Sequence, residues 1–172
     1  VIPIHALGRN RDGEPLLVMK RVDGTSWDDL LLQGGVHPAI DAEDRLGGHL
    51  EILLAVCNAV AYAHDHNLIH RDLKPENVML GAFGEVYVVD WGLAVAVGGE
   101  VEGHIPRALD IDTIEGTPHF MAPEMAACEP QRIGKASDVY QLGAILHQVL
   151  VGKVRNEGET LADAICAAYE VQ

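Results

Sequence analysis

The sequence predicts an α+β domain, mainly helical with short β-hairpins, on three observations. Apolar residues recur at spacings of three and four from Ala42 to Asn67, the period of a long helix. A second stretch, from Asp138 to about Val151, is apolar nearly all round and predicts a central, buried helix. Short apolar runs split by turn residues predict hairpins.

In chain order, Ile2–Leu7 and Leu16–Met19 flank the turn-rich run Gly8-Arg9-Asn10-Arg11-Asp12-Gly13, a hairpin with a longer loop. Asp23–Ser26 reads as a turn whose last residues cap a short helix through Leu32. Gln33–Asp41, with two glycines and a proline, reads as a loop. In the long helix, Leu46, Leu50, Leu53, Leu54, Cys57, Val60, Ala61 and His64 form the expected apolar stripe. Leu68-Ile69 and Val78–Leu80 read as strands, the latter paired with Val86–Val89 across Gly81–Gly84. Ala96–Glu115 is Gly-rich, acidic and without period, which predicts a mobile loop. Ser137 reads as the cap of the central helix, and a last helix runs from Thr160 to Tyr169.

A chain of 172 residues is one domain by length. Its net charge of −14 disfavours nucleic acid and anionic membranes, which demand a basic face. Cys57, Cys128 and Cys166 form no CxxC pair and read as small hydrophobes in a reducing compartment. No apolar run is read as approaching the ~20 residues that span a bilayer, and the protein is expected in the cytoplasm. The chain starts at Val1 in mid-pattern and reads as a piece of a longer polypeptide.

The chemistry is concentrated in His70-Arg71-Asp72-Leu73-Lys74-Pro75-Glu76-Asn77. Asp90-Trp91-Gly92 follows thirteen residues after Asn77, and Ala122-Pro123-Glu124 closes the set. Taken singly, Asp72, Asn77 or Asp90 reads as a turn or capping residue. In this order they supply a base, two oxygen donors for Mg²⁺ and a loop anchor, the parts of a phosphoryl-transfer site. His64, His66 and His70 do not read as a zinc site, because positions i and i+2 share no helix face.

These motifs resemble those of the eukaryotic-type Ser/Thr protein kinases. The resemblance covers essentially the whole chain but only part of a kinase domain. It implies a kinase-like fold with 1–22 as the end of the N-lobe (its fourth and fifth strands) and hinge. Residues 23–172 would be the helical C-lobe, truncated before its last helices. The Gly-rich loop and strand lysine of the family, and the basic partner of Glu124, are not found in the sequence.

By the same resemblance Asp72 is the base, Asn77 and Asp90 hold Mg²⁺, and Lys74 meets the transferring phosphate. Lys74 with Thr117 marks Ser/Thr specificity. Met19 is the gatekeeper, the Lys20 carbonyl and Val22 amide bond adenine, Met79 packs under the purine, and Ser26 reaches the ribose. His70 and Gly92 are framework residues, and Trp91 stands where the family has Phe. Arg71 implies a partner phosphate on the activation loop, with Thr113 the better candidate. Asp138 either holds the amides of the His70-Arg71 turn or stabilises a helix N-terminus. ATP and Mg²⁺ are the implied cofactors and a protein Ser/Thr the substrate, with basic substrates suggested by the acidic charge. Two alternatives are an inactive kinase-like interaction module and a small-molecule phosphotransferase. The isolated 172 residues are expected to associate through exposed apolar faces and to lack activity.

Overall fold

A hairpin opens the described chain: β1 (Ile4–Arg9) pairs antiparallel with β2 (Pro15–Met19). Asn10 shapes the turn, its Oδ1 accepting the backbone N–H groups of Asp12 and Glu14 at 2.9 and 2.8 Å. The structure, a computed structural model, describes residues 4–33, 37, 40–41, 43–98 and 105–170. Ile2 and most of the Gln33–Asp41 segment lie outside that set.

A three-stranded antiparallel sheet follows, in the order β3 (Gly24–Ser26), β5 (Val78–Gly81), β6 (Val86–Val88). The expected hairpin of β5 and β6 is present, with Met79 opposite Tyr87. The expected turn at Asp23–Ser26 is instead largely strand β3, because Gly24–Ser26 hydrogen-bonds to a partner more than fifty residues later. Ser26 still caps α1 (Trp27–Gln33), its hydroxyl oxygen accepting the Asp29 N–H at 3.1 Å.

The long helix α2 is Arg45–Asp65, shorter than expected at both ends, with Asp44 as its N-cap. Its buried face carries His49, Ile52, Leu53, Val56, Val60 and Ala63, while Leu46, Leu50 and Leu54 are exposed. The expected stripe is thus partly rotated. The helix is apolar on several faces, and the elements packed against it, β6 and the later helix Lys135–Val151 among them, decide which face is covered. With 21 residues and a mean hydropathy of 1.4 in its most apolar window, α2 is long and apolar enough to cross a bilayer by length and composition. That corrects the expectation of no such run; here Ile52, Val56 and Val60 of α2 enter the core.

β4 (Leu68–Ile69) pairs antiparallel with β7 (Val95–Ala96). Part of the expected loop at Ala96–Glu115 is therefore structured: Ala96 also bridges to Arg107, and residues Ala108–Asp110 form a 3-10 turn. Residues 99–104 lie outside the described set.

Three helices complete the fold, α3 (Pro123–Ala126), α4 (Lys135–Val151) and α5 (Leu161–Glu170). α4 begins three residues before its expected start. Gly134 is its N-cap, and Ser137 lies in the first turn, accepting the Gly134 N–H at 3.1 Å. Nor is α4 buried all round: Val139, Leu150 and Val151 are exposed, and its buried side is Ser137, Asp138, Gln141, Ala144 and Ile145. Thr160 and Asp163 cap α5 reciprocally, with Asp163 Oδ2 accepting the Thr160 N–H at 3.0 Å and Thr160 Oγ1 the Asp163 N–H at 3.2 Å.

Two apolar clusters grip the segment between them. Leu73 belongs to the cluster of Trp27, Ile52, Val56, Val78, Leu80 and Ile145. Ile69 belongs to that of Val95, Met121, Met125 and Ala168. The chain from His70 to Asp72 is thereby anchored at both ends by fully buried side chains, each worth about 1.5–3 kcal/mol on burial.

Candidate active site

Asp72 is buried to 7% exposure and is surrounded by hydrogen-bond donors. Its Oδ1 accepts the Thr117 backbone N–H at 2.9 Å and the Thr117 hydroxyl at 2.7 Å. Oδ2 accepts Asn77 Nδ2 at 3.1 Å and lies 3.1 Å from Lys74 Nζ. Lys74 Nζ also donates to Thr117 Oγ1 at 2.6 Å. Asp72, Lys74, Asn77 and Thr117 therefore form one network across two loops that are far apart in sequence. A carboxylate offers about four lone-pair sites; here three hydrogen bonds fall on it, and the Lys74 ammonium adds an ion pair at Oδ2.

Local backbone chemistry explains how the loops meet. Gly116 adopts φ +115°, and a Cβ there would lie 3.2 Å from the Arg71 carbonyl. Glycine thus lets the segment carrying Thr117 run against the loop carrying Asp72. Arg71 and Asp90 both sit in the left-handed region, at φ 70° and 57°. For non-glycine residues this conformation persists where surrounding contacts over-determine it.

For Arg71 those contacts come from α4. Asp138, 0% exposed, accepts the backbone N–H groups of His70 and Arg71 at 2.9 Å each, and His64 Nε2 at 2.8 Å. Asp138 makes these contacts from the first turn of α4, a placement that accommodates both roles expected for it. His70 Nε2 donates to the Val89 carbonyl at 3.1 Å, and its Nδ1 accepts the Asp72 N–H at 3.3 Å. Burial pushes the His70 ring below its ordinary pKa, opposed by the Val89 hydrogen bond and by Asp138, Asp72 and Asp90. His66 pairs with the Tyr62 carbonyl, so His64, His66 and His70 each take a different partner.

Asp90 is exposed, with Gly92 N–H reaching its Oδ1 at 3.4 Å. The Val89 N–H donates to the Asn77 carbonyl at 2.9 Å, which sets Asp90 one residue beyond the Asn77 backbone. Trp91 tilts against His70 with ring centres 4.5 Å apart and donates its Nε1–H to the Val88 carbonyl at 3.2 Å. The indole N–H thus has a partner that Phe would not need.

Among the candidates for nucleotide contact, Met79 is half-buried on β5, flanked in register by Ser26 and Tyr87. Lys20 Nζ meets the Tyr87 hydroxyl at 3.2 Å, tying the segment of Met19, Lys20 and Val22 to this sheet. Ser26 Oγ donates to Asp29 Oδ2 at 2.7 Å while serving as the α1 cap, so a ribose would compete with the cap.

Arg71 is buried to 3% exposure. It donates to the Leu93 carbonyl at 3.2 Å and reaches Glu115 Oε2 at 3.5 Å, while its Nε has no partner among the described residues. Burial lowers its pKa, opposed chiefly by Glu115. Thr113 is exposed. Glu124, for which a basic partner was expected, accepts the Ser137 hydroxyl at 2.5 Å.

Three residues of the site were not anticipated. Gln141 and Glu115 contact the loop of Asp72. Asn156, 0% exposed, donates to the Pro118 and Met121 carbonyls at 2.8 and 3.0 Å and accepts the Tyr140 hydroxyl at 3.1 Å. It braces the turn after Thr117. The polar run around Asn156 carries no period or motif that would announce this.

Residues 8–169 match the family described as the protein kinase domain. The chain belongs to the protein kinase domain family. It is 34% identical to the serine/threonine-protein kinase PknD of Protochlamydia amoebophila over 169 residues, covering 89% of this chain and 17% of that protein. Against the probable serine/threonine-protein kinase PknB of Corynebacterium glutamicum it is 33% identical over 153 residues, 88% of this chain and 22% of the relative. Against PrkC of Bacillus subtilis the identity is 29% over 161 residues, 93% of this chain and 22% of the relative. The chain thus spans about a fifth of the length of these kinases. As a protein kinase domain it belongs to a family that in general uses ATP and Mg²⁺ and acts on protein substrates.

Proposed function

We propose that this domain transfers the γ-phosphoryl group of ATP to Ser or Thr hydroxyls of a protein substrate. The observation that carries the reading is the single network joining Asp72, Lys74, Asn77 and Thr117.

Asn77 and Asp90 suit Mg²⁺ by the chemistry of their donors. Asn77 Nδ2 donates to the Asp72 carbonyl at 2.8 Å and to Oδ2 at 3.1 Å, which leaves the amide oxygen as the free acceptor among the described residues. With the exposed Asp90 carboxylate it offers two hard oxygens, the small protein share that Mg²⁺ takes. When bound, the ion supplies charge neutralisation for the phosphates.

Asp72 holds three hydrogen bonds and the Lys74 ion pair, so a substrate hydroxyl reaches it most readily where one of these partners gives way. Lys74 is the donor suited to leave, because its side chain is 21% exposed and a phosphoryl oxygen gives it an alternative partner. Its departure frees Oδ2 to accept the hydroxyl proton, while Thr117 and Asn77 keep the carboxylate aimed. The hydroxyl oxygen, relieved of its proton at Asp72, attacks in line. Met19, the Lys20 carbonyl, the Val22 amide, Ser26 and Met79 are proposed to hold the nucleoside. The net charge of −14 favours basic substrate segments.

The test is transfer of label from γ-labelled ATP to Ser/Thr peptides, with phosphoamino-acid analysis, by the protein bearing this domain. Phosphoserine or phosphothreonine that disappears in Asp72→Ala supports the reading. Nucleotide binding without transfer would instead favour an interaction module.

A further inference from the structure

Gln141 is 0% exposed on α4, and its carboxamide enters the loop that carries Asp72. Nε2 donates to the Arg71 carbonyl at 2.8 Å, and Oε1 accepts the Leu73 N–H at 3.0 Å. The Arg71 carbonyl belongs to the peptide unit before Asp72, and the Leu73 N–H to the unit after it. One side chain therefore holds both peptide planes that flank the candidate base.

We infer that Gln141 is a positioning residue for Asp72, setting the direction in which its carboxylate leaves the backbone; this rests on the proposed phosphoryl transfer. The division of labour on α4 supports it. Asp138 satisfies the N–H groups of His70 and Arg71, upstream of Asp72. Thr117 and Asn77 hold the carboxylate itself. The backbone between those two restraints passes through Arg71 at φ 70°, a conformation disfavoured for arginine. Among the described residues, the partner of both the Arg71 carbonyl and the Leu73 N–H is Gln141. Loss of that restraint lets the turn relax and moves the carboxylate relative to the substrate hydroxyl, and misplacement by about 1 Å can cost about 100-fold in rate.

The chemistry of the carboxamide makes the role separable from packing. An amide donates through one atom and accepts through the other. Met has similar length and does neither. Ionised Glu can only accept, and sets an anion against the Arg71 carbonyl. Protonated Glu restores both functions, and burial raises its pKa into an accessible range.

The experiment measures kcat and KM for ATP and peptide, thermal midpoint, and hydrogen exchange at the Leu73 amide, in Gln141→Met and Gln141→Glu of the protein bearing this domain. For Gln141→Met the expected result is a kcat about 10- to 100-fold lower with both KM values within about twofold, and faster exchange at Leu73 while core amides of α2 keep their protection. For Gln141→Glu, kcat relative to wild type recovers as pH falls from about 8 towards about 6. If the Met variant does not fold, the pH-dependent recovery of the Glu variant carries the test. A kcat per folded molecule equal to wild type in both variants, whatever their thermal midpoints, overturns the inference. If the wild type itself transfers no phosphoryl group, the proposed function fails separately. Exchange at Leu73 then decides the positioning role, unchanged exchange in Gln141→Met overturning it and faster exchange supporting it.

Discussion

Thr117 grips Asp72 twice, its backbone N–H and its hydroxyl both donating to Oδ1, at 2.9 and 2.7 Å. Two loops separated by 45 residues are joined at one carboxylate oxygen. The same hydroxyl accepts from Lys74 at 2.6 Å, so it links the candidate base to the cation.

Removing that hydroxyl while keeping the shape of the side chain isolates its contribution. Thr117→Val is expected to lower kcat about 10- to 100-fold, since hydrogen bonds to charged groups are each worth about 1.5–3 kcal/mol. Thr117→Ser keeps the oxygen and should stay close to wild type. Steady-state kinetics on Ser and Thr peptides checks this, and a Val variant as active as the wild type would refute the role.

Asp138→Ala strands the N–H groups of His70 and Arg71 and the His64 ring. The expected cost is about 3–5 kcal/mol, since each buried donor left without an acceptor costs about 1–3 kcal/mol. A helix-terminus role alone would cost about 1 kcal/mol or less. Urea denaturation at neutral pH distinguishes the two.

Stability should fall on mild acidification. Trp27 Nε1–H donates to His49 Nδ1 at 2.9 Å, a bond that requires the neutral ring. Burial lowers the His49 pKa, with Arg45 adding to the effect, and burial also lowers that of His70. The unfolded chain takes up these protons near pH ~6.5 and the folded chain only below it. Between the two values the unfolded state holds more protons, so stability rises with pH, is complete above about 6.5 and is lost as pH falls through it. Urea midpoints between about pH 7.5 and 5.5 should drop more steeply in wild type than in His49→Gln. Equal slopes would contradict the His49 part of the account.

Among the described residues Arg71 is incompletely satisfied, with Nε unpaired and Glu115 at 3.5 Å, the limit of a hydrogen bond. A phosphate on the exposed Thr113 would offer a stronger anion and order the segment. Incubation with Mg-ATP should therefore place phosphate on Thr113, and Thr113→Ala should lower kcat about tenfold, the worth of one charge-assisted bond. Mass spectrometry with parallel kinetics reads both; an unmodified Thr113 in an active enzyme would count against it.

Much of the fold was legible where local chemistry decides it. The β5–β6 hairpin, the long helix and the run from His70 to Asn77 are written in turns, periods and motif order. β3 and β7 were not, since strands of two or three residues have no period and exist because of distant partners. The face of α2 was misread at Leu46, Leu50 and Leu54 because an apolar surface on several sides leaves the choice to neighbouring elements. Within the site, Asp72, Lys74, Asn77 and Thr117 stood in recognisable patterns and the structure brings them together. Gln141 and Asn156 did not, because a buried amide is identified by the backbone it holds, 35 to 70 residues away.

The most direct measurement is single-turnover phosphoryl transfer from MgATP to a Ser/Thr peptide, comparing wild type with Asp72→Asn. The expected result is a chemical step slower by about 100- to 10,000-fold in the variant, with MgATP affinity within about twofold of wild type. Equal rates in the two proteins, or a wild type that binds MgATP and transfers nothing, would contradict it.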